Sequence, residues 1–134
     1  MGKAMTVGQL AEAADVGVET VRYYQRRGLL PTPAKPLAGR RAYGDEALRQ
    51  IMFIRRAQQL GFTLQEIAAL LDISDGRACR AGRDMAQAKV DELTQRIGEL
   101  ERMRRKLRAA VKLCDANTRG APCPFIALLQ SEKP

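Results

Sequence analysis

One segment in the second half of the chain constrains the fold most, because it favours a single long helix. Between Ala78 and Leu113 there is no proline, and Gly98 is the only glycine beyond Gly82. Apolar residues recur there at alternating spacings of three and four, which is the heptad pattern of a coiled coil. The apolar positions are Val90, Leu93, Ile97, Leu100, Leu107 and Val111, with Arg104 interrupting the series. Since one helix cannot bury its own apolar stripe, the pattern predicts a partner helix.

The first half of the chain is predicted to form short helices with marked ends. Thr6 is followed three residues later by glutamine, and Thr63 by glutamate, so each fits a capping box at a helix start. The first helix is interrupted at residues 15–17, and a second runs from Val18 to Arg27 and stops at Gly28. Two helices joined by such a short turn are typical of DNA-binding proteins.

The segment directly after this helix pair is not expected to be helical. Three prolines within residues 31–36 exclude a helix there, and Gly39 before two arginines favours a tight hairpin or wing. A third helix is expected to begin near Asp45 and to end at Gly61, and a fourth follows the second capping box. Pro124 suits the first turn of a last short helix.

Positive charge is concentrated in one part of the chain. The whole sequence has 23 Lys and Arg against 15 Asp and Glu, a net charge of +8. Between Thr20 and Gly44 there is no acidic residue. The basic and aromatic residues there are Arg22, Arg26, Arg27, Lys35, Arg40 and Arg41 with Tyr23, Tyr24 and Tyr43. Arginine and lysine neutralise phosphates, and tyrosine can bond a phosphate while its ring packs inward. This segment predicts binding to double-stranded DNA, with either Tyr23 or Tyr24 packed into the core.

Catalysis is not expected, because the chain contains no histidine and no paired acids in a credible pocket. No apolar run is long enough to cross a membrane, and the N-terminus lacks the apolar stretch of a secretory signal. We therefore expect a cytoplasmic protein without a membrane partner. In such a reducing compartment the three cysteines are metal ligands or redox groups rather than structural disulfides.

The spacing of the cysteines predicts a site shared between two chains. Cys79 and Cys114 are 35 residues apart, which in one continuous helix is about 52 Å. An antiparallel partner would lay the start of one helix against the end of the other. Because 35 residues make five heptads, both cysteines fall on the seam side. We expect Cys79 of one chain to join Cys114 and Cys123 of the other, twice per homodimer.

The ligand set predicts a soft metal ion. Three thiolates without imidazole suit a large polarizable ion, whereas structural zinc usually takes four Cys or His ligands. Hg(II) is the expected ion, with Pb(II) and Cd(II) as alternatives, and no organic cofactor is expected. Cys123 precedes Pro124 at a helix start, where free N–H groups favour a thiolate.

Several motifs together resemble the MerR family of bacterial transcription regulators. The resemblance covers residues 5–71 at the family's own spacing. It rests on Thr20-Val21-Arg22-Tyr23-Tyr24, Gly28-Leu29-Leu30, Arg41-Ala42-Tyr43 and Leu60-Gly61-Phe62-Thr63-Leu64-Gln65-Glu66-Ile67. Cys79, Cys114 and Cys123 also match the three-cysteine pattern of mercury-responsive members, and residues 123–130 are similar to their C-terminal tail.

The resemblance implies a mainly all-α fold. A winged helix-turn-helix with a second helix pair would occupy 1–71, and a hinge or metal-proximal loop 72–80. A long antiparallel coiled-coil dimerisation helix would follow over 81–113, and a metal-binding loop with a short C-terminal helix over 114–134. Helix 18–27 would enter the major groove, the wing would grip the backbone, and Arg56 would meet a phosphate. The expected DNA-binding residues are Thr20, Arg22, Tyr23, Tyr24, Arg40, Arg41, Tyr43 and Arg56.

By the same resemblance, the metal-free homodimer represses a promoter. Metal binding then distorts the DNA so that RNA polymerase can start transcription. One alternative is a Pb(II)- or Cd(II)-sensing regulator of the same fold. An alternative of another class is a thiol redox switch, in which Cys114 and Cys123 form a disulfide.

Overall fold

The computed structural model describes residues 4–33, 42–118 and 120–131. Its helices are α1 (Val7–Ala13), α2 (Val18–Arg26), α3 (Asp45–Gln59), α4 (Leu64–Asp72), α5 (Cys79–Asp115) and α6 (Pro124–Leu129). In the described part of the chain the β-structure is one isolated antiparallel bridge, between Met5 and Tyr43. The expected helical fold class is confirmed.

The predicted capping boxes explain where two helices begin. At α1 the Thr6 hydroxyl accepts a hydrogen bond from the Gln9 N–H at 3.2 Å, and the Gln9 side chain accepts one from the Thr6 N–H at 2.9 Å. Thr63 and Glu66 form the same pair of bonds at α4, at 3.2 and 2.8 Å. Each box satisfies two N–H groups that would otherwise lack a partner, so the sequence determines both helix starts locally.

The chain divides into two units, with the boundary between Met85 and Ala86, inside α5. In the first unit, α1 packs on α2 and α3, and α3 packs on α4. These helices enclose one apolar core. Its largest fully buried side chains are Leu10, Val21, Ile51, Ile54 and Ile67. The core holds the helix-turn-helix and the second helix pair in fixed relation to each other.

The second unit contains most of α5 together with α6. The predicted seam residues of α5 are exposed, and Ile97 and Leu100 each leave 60% of their surface accessible. Met103, which the heptad prediction did not include, is 54% exposed. α5 is continuous across the predicted boundary between the hinge and the dimerisation helix. Within the three described ranges, no helix has the length and apolarity needed to cross a membrane.

Candidate nucleic-acid interface and metal centre

Helix α2 presents one buried face and one charged face. Val21 and Tyr24 lie in the core, whereas Arg22 and Tyr23 are exposed. Tyr24 retains 3% of its surface accessible and Tyr23 retains 40%. The expectation that one of these tyrosines packs inward is confirmed. Thr20 is half-buried on the same helix.

Two arginines surround the exposed tyrosine. The guanidinium carbons of Arg26 and Arg27 each lie 5.9 Å from the centroid of the Tyr23 ring, within range of a cation–π interaction. The expected DNA-binding residues did not include either arginine. Their spacing could have identified them, because residues three and four positions apart meet on a helix face. Together with Arg22 they give α2 an exposed cationic surface around an aromatic ring.

The two buried tyrosines are held by glutamines. The Tyr24 hydroxyl donates to Gln58 Oε1 at 2.8 Å, and burial raises the Tyr24 pKa, an effect that the charge of Arg55 partly offsets. The Tyr43 hydroxyl accepts from Gln25 Nε2 at 2.8 Å. The Tyr43 backbone also exchanges two hydrogen bonds with Met5, at 2.7 and 2.8 Å. Both rings help to fix α2, and DNA contact by their hydroxyls stays a prediction.

Three further arginines, outside α2, were predicted to bind DNA. Arg56 on α3 is exposed. Arg40 and Arg41 lie outside the described residues, between Pro33 and Ala42.

Two of the three cysteines lie side by side. The sulfurs of Cys114, in the last turn of α5, and Cys123, directly before α6, are 3.8 Å apart. The side-chain amide of Asn117 donates to the carbonyls of Ala121 and Pro122, each at 3.3 Å, and so ties the intervening loop together. Two thiolates at zinc-like bond lengths of about 2.3 Å would span this gap at an angle of about 110°. The pair therefore fits two ligands of a single soft metal ion.

The start of α6 acts on the Cys123 thiol. Cys123 is the N-cap residue and Pro124 occupies the first turn. Hydrogen bonding from the Ile126 N–H contributes most to lowering the Cys123 pKa, followed by the Cys114 side chain and the Phe125 N–H. The direction agrees with the expectation from its place at a helix start, and a lowered pKa favours the thiolate that binds metals.

Cys79 is the first residue of α5 and is exposed. Because α5 is one continuous helix, Cys79 and Cys114 occupy its opposite ends. Within one chain, the described residues contain no group of three His, Cys, Asp or Glu side chains that could hold a metal ion. The described residues of one chain thus form no three-cysteine site, and the site shared between two chains stays a prediction.

Two family models match the chain. The model described as "MerR HTH family regulatory protein" matches residues 5–73, and the model described as "MerR, DNA binding" matches residues 48–110. Among curated proteins, a "Mercuric resistance operon regulatory protein" of Serratia marcescens is 43% identical over 96% of this chain and 90% of its own length.

Solved structures give the same fold. A transcription regulator from Ralstonia metallidurans in complex with lead(II) has a TM-score of 0.79 and 32% identity, covering 92% of this chain and 98% of that one. A dual-function transcriptional regulator from Bacillus megaterium in complex with mercury(II) has a TM-score of 0.68 and 32% identity. The match covers 92% of this chain and 97% of that one.

Proposed function

The chain belongs to the MerR family of helix-turn-helix transcription regulators, and on that premise we propose that it is a homodimeric sensor of Hg(II) acting in the cytoplasm. The observation that carries the metal part of this proposal is the pair of sulfurs of Cys114 and Cys123, 3.8 Å apart. The mercuric-resistance relative, 43% identical over nearly the whole chain, supports mercury as the effector. The protein would act by binding DNA and metal, not by catalysis.

We propose that each metal site joins two subunits. Cys114 and Cys123 supply two thiolates from one chain, and Cys79 of the other chain supplies the third. The exposed apolar seam of α5, where Ile97 and Leu100 lie open, supports an antiparallel partner helix that would bring these ends together. Bound Hg(II) would supply bonds that link the subunits at each end of the helix pair. The donor set suits it, since soft thiolates bind soft metal ions.

The DNA interface is proposed to centre on α2. Its exposed face carries Arg22 and Tyr23, and the half-buried Thr20 lies on the same helix. Tyr24 and Tyr43 would orient this helix through their buried rings while their hydroxyls remain candidates for phosphate contact. Beyond α2, phosphate contacts are proposed for Arg56 of α3 and for the wing residues Arg40 and Arg41.

Regulation would use two shapes of the dimer. The metal-free shape holds promoter DNA and represses it, and the metal-bound shape deforms the DNA so that RNA polymerase can start. A ligand shifts such an equilibrium only as far as it prefers one shape. Because the output is DNA deformation, operator affinity need change little on metal binding.

A subunit-mixing experiment tests the shared site. One variant is Cys79→Ser, and the other carries Cys114→Ser and Cys123→Ser. Neither homodimer contains a complete site, so we expect neither to retain Hg(II) in an anaerobic titration against an excess of competing thiol, because fewer than three thiolates remain at each site. A mixed dimer contains one complete site and one empty site, so we expect one Hg(II) per dimer. Absence of restored binding in verified mixed dimers would contradict the shared site.

The identity of the metal needs a separate test, because the relative of known structure with TM-score 0.79 holds lead(II). A promoter-reporter assay should give the strongest induction with Hg(II) among Hg(II), Pb(II), Cd(II), Zn(II) and Cu(I). Stronger induction by Pb(II) or Cd(II) at equal free metal would replace mercury as the effector while leaving the regulator intact.

One observation also favours a thiol redox switch as a second candidate function. The sulfurs of Cys114 and Cys123 need only a small movement to form a disulfide. In that reaction hydrogen peroxide would take two electrons and two protons from the thiols and leave as two waters. Induction by peroxide in metal-free cells would support this function, whereas induction by metal under strict anaerobiosis would support metal sensing.

A further inference from the structure

The turn between α1 and α2 has an unusual backbone. Helix α1 ends in a Schellman motif, in which the Val16 N–H bonds the Ala11 carbonyl at 2.9 Å and the Asp15 N–H bonds the Glu12 carbonyl at 3.1 Å. Asp15 occupies the left-handed region with φ of 56° and is the only non-glycine residue of the described chain to do so. The motif leaves the carbonyls of Ala14 and Asp15 without partners from α1 itself.

Arg55 of α3 supplies the missing donor. Its Nη1 donates to the Ala14 carbonyl at 2.8 Å and to the Asp15 carbonyl at 3.2 Å. Helix α1 carries no basic residue in its last turn. The guanidinium therefore also provides the positive charge that the negative end of a helix dipole favours. A residue about 40 positions away in sequence thus fixes the turn that leads into α2.

Two further side chains of α3 hold the other end of α2. Gln58, one helical turn after Arg55, accepts the hydrogen bond from the Tyr24 hydroxyl. Gln50 donates through Nε2 to the Leu29 carbonyl at 2.6 Å, just beyond the end of α2. Helix α3 consequently holds α2 at its entrance, at its buried tyrosine and at its exit. These are directional bonds, unlike the apolar contacts around them, so they define orientation as well as distance.

We propose that Arg55 is a positioning residue for DNA recognition, which sets the orientation of α2 through the turn and does not itself contact DNA. The inference rests on the proposed DNA-binding function. It separates Arg55 from its neighbour Arg56, which is exposed on the same helix and is the proposed phosphate contact. Arg55 has its guanidinium committed to two backbone carbonyls.

The test compares Arg55→Met with Arg56→Met, which remove the same charge from adjacent residues. An operator sequence is first selected from a random duplex library with the wild-type protein, and a scrambled duplex serves as non-specific DNA. Affinities for both duplexes are then measured across a salt series. Arg55→Lys, which keeps the charge and one donor nitrogen, is measured in parallel, and thermal melting verifies that each variant is folded.

We expect Arg55→Met to lower the ratio of operator to scrambled affinity roughly tenfold, similar to one mismatched base pair, with the salt slope unchanged. Arg55→Lys should restore part of the ratio. Arg56→Met should weaken both duplexes alike and reduce the slope by about 0.9 for each phosphate that the variant no longer neutralises. Should Arg55→Met fail to fold, Gln58→Met removes the neighbouring bond to Tyr24 and should lower the ratio less, again at constant slope.

Two results would overturn the inference. A reduced salt slope in Arg55→Met, equal to that in Arg56→Met, would show that Arg55 contacts phosphate directly. An unchanged affinity ratio in folded Arg55→Met and Gln58→Met would show that these bonds serve stability alone. If the wild-type protein enriches no sequence from the library, the proposed function itself fails, and the inference fails with it.

Discussion

The two units of the molecule bury their apolar residues to very different degrees. In the unit that ends at Met85, Leu10, Ile51 and Ile54 are fully buried. In the unit that begins at Ala86, Ile97 and Leu100 are each 60% exposed. The first unit therefore completes its core with residues of its own chain. The second consists largely of a helix whose apolar stripe requires another surface, since helical stability in proteins derives mainly from packing. The difference indicates that the first unit can be stable as a single chain, whereas the second unit needs a further apolar surface, which in the proposed homodimer is the partner helix.

The substitution with the largest expected effect on stability lies in the buried core of the first unit. Ile54→Ala removes a fully buried side chain and should lower the free energy of unfolding by about 2–5 kcal/mol. The decrease should be the same at low and high protein concentration, because the packing lies within one chain. This decrease is measured by urea unfolding of the first unit's helices at two protein concentrations. A decrease that grows with concentration would place this residue in an interface.

The matched substitution in the exposed apolar seam of α5 is Ile97→Ala. Here we expect a decrease of about 1–2 kcal/mol per chain, and only at concentrations where chains associate, since burial of this side chain needs a partner. Sedimentation equilibrium combined with melting temperature against concentration checks the result. The same decrease in dilute monomer would contradict the assigned difference between the units.

Substituting one threonine in each unit compares the contribution of a capping side chain with that of a side chain inside a helix. Thr63 caps α4, and Thr63→Ala should cost about 1 kcal/mol. Thr94 lies within α5, where its hydroxyl donates to the Val90 carbonyl at 2.8 Å, and Thr94→Ala should be neutral or slightly stabilising because alanine is the better helix former. Thermal melts of both variants give the comparison, and equal destabilisation of both would refute a capping role for Thr63.

A smaller, opposite effect is expected at the turn of the first unit. Asp15 has φ of 56°, a conformation that glycine adopts without steric cost. Asp15→Gly should therefore raise the free energy of unfolding by about 0.5–1 kcal/mol, part of the cost of a left-handed residue. Asp15→Asn, which tolerates the same conformation, is the control and should change little. Destabilisation by glycine would show that the carboxylate has a structural role.

The last prediction concerns a thiol of the second unit, Cys123, and the pH at which it is alkylated. The pKa of Cys123 is lowered, so more of it is thiolate at a given pH, and its alkylation should persist to lower pH than that of an unstructured cysteine. Cys114→Ala removes the second-largest cause and should move the alkylation midpoint upward by part of this shift. Mass spectrometry of iodoacetamide-treated protein across pH resolves Cys123, and an unshifted midpoint in the wild type would contradict the prediction.

Local signals in the sequence were enough to predict most of the helical framework. The capping boxes at Thr6 and Thr63, and the proline-free heptad segment, depend on residues a few positions apart, so the sequence contains the whole interaction. Observed α5 differs from the predicted Ala78–Leu113 by two residues or fewer at each end. The pairing of Cys114 with Cys123 was also foreseeable, because a loop with Gly120 and Pro122 can fold back on itself.

Contacts between distant segments were not predicted. The bond from Arg55 to the Ala14 carbonyl joins residues 41 positions apart, and no short pattern around either residue indicates it. The same holds for the bond between Tyr24 and Gln58. The sequence therefore predicted that either Tyr23 or Tyr24 packs inward but did not indicate which of the two. Arg26 and Arg27 were noted only as charge, although their spacing of three and four residues from Tyr23 would have placed them on the same face of the helix.

The continuity of α5 has a consequence for how this chain can change in length. Each residue inserted into or deleted from an α-helix rotates everything beyond it by about 100°. A single-residue deletion between Cys79 and Cys114 would therefore move one of these cysteines off the heptad position that both hold in the sequence. Insertion of seven residues would nearly restore the phase. Between its two cysteines, α5 is thus expected to tolerate substitutions much better than changes in length, except in steps of one heptad.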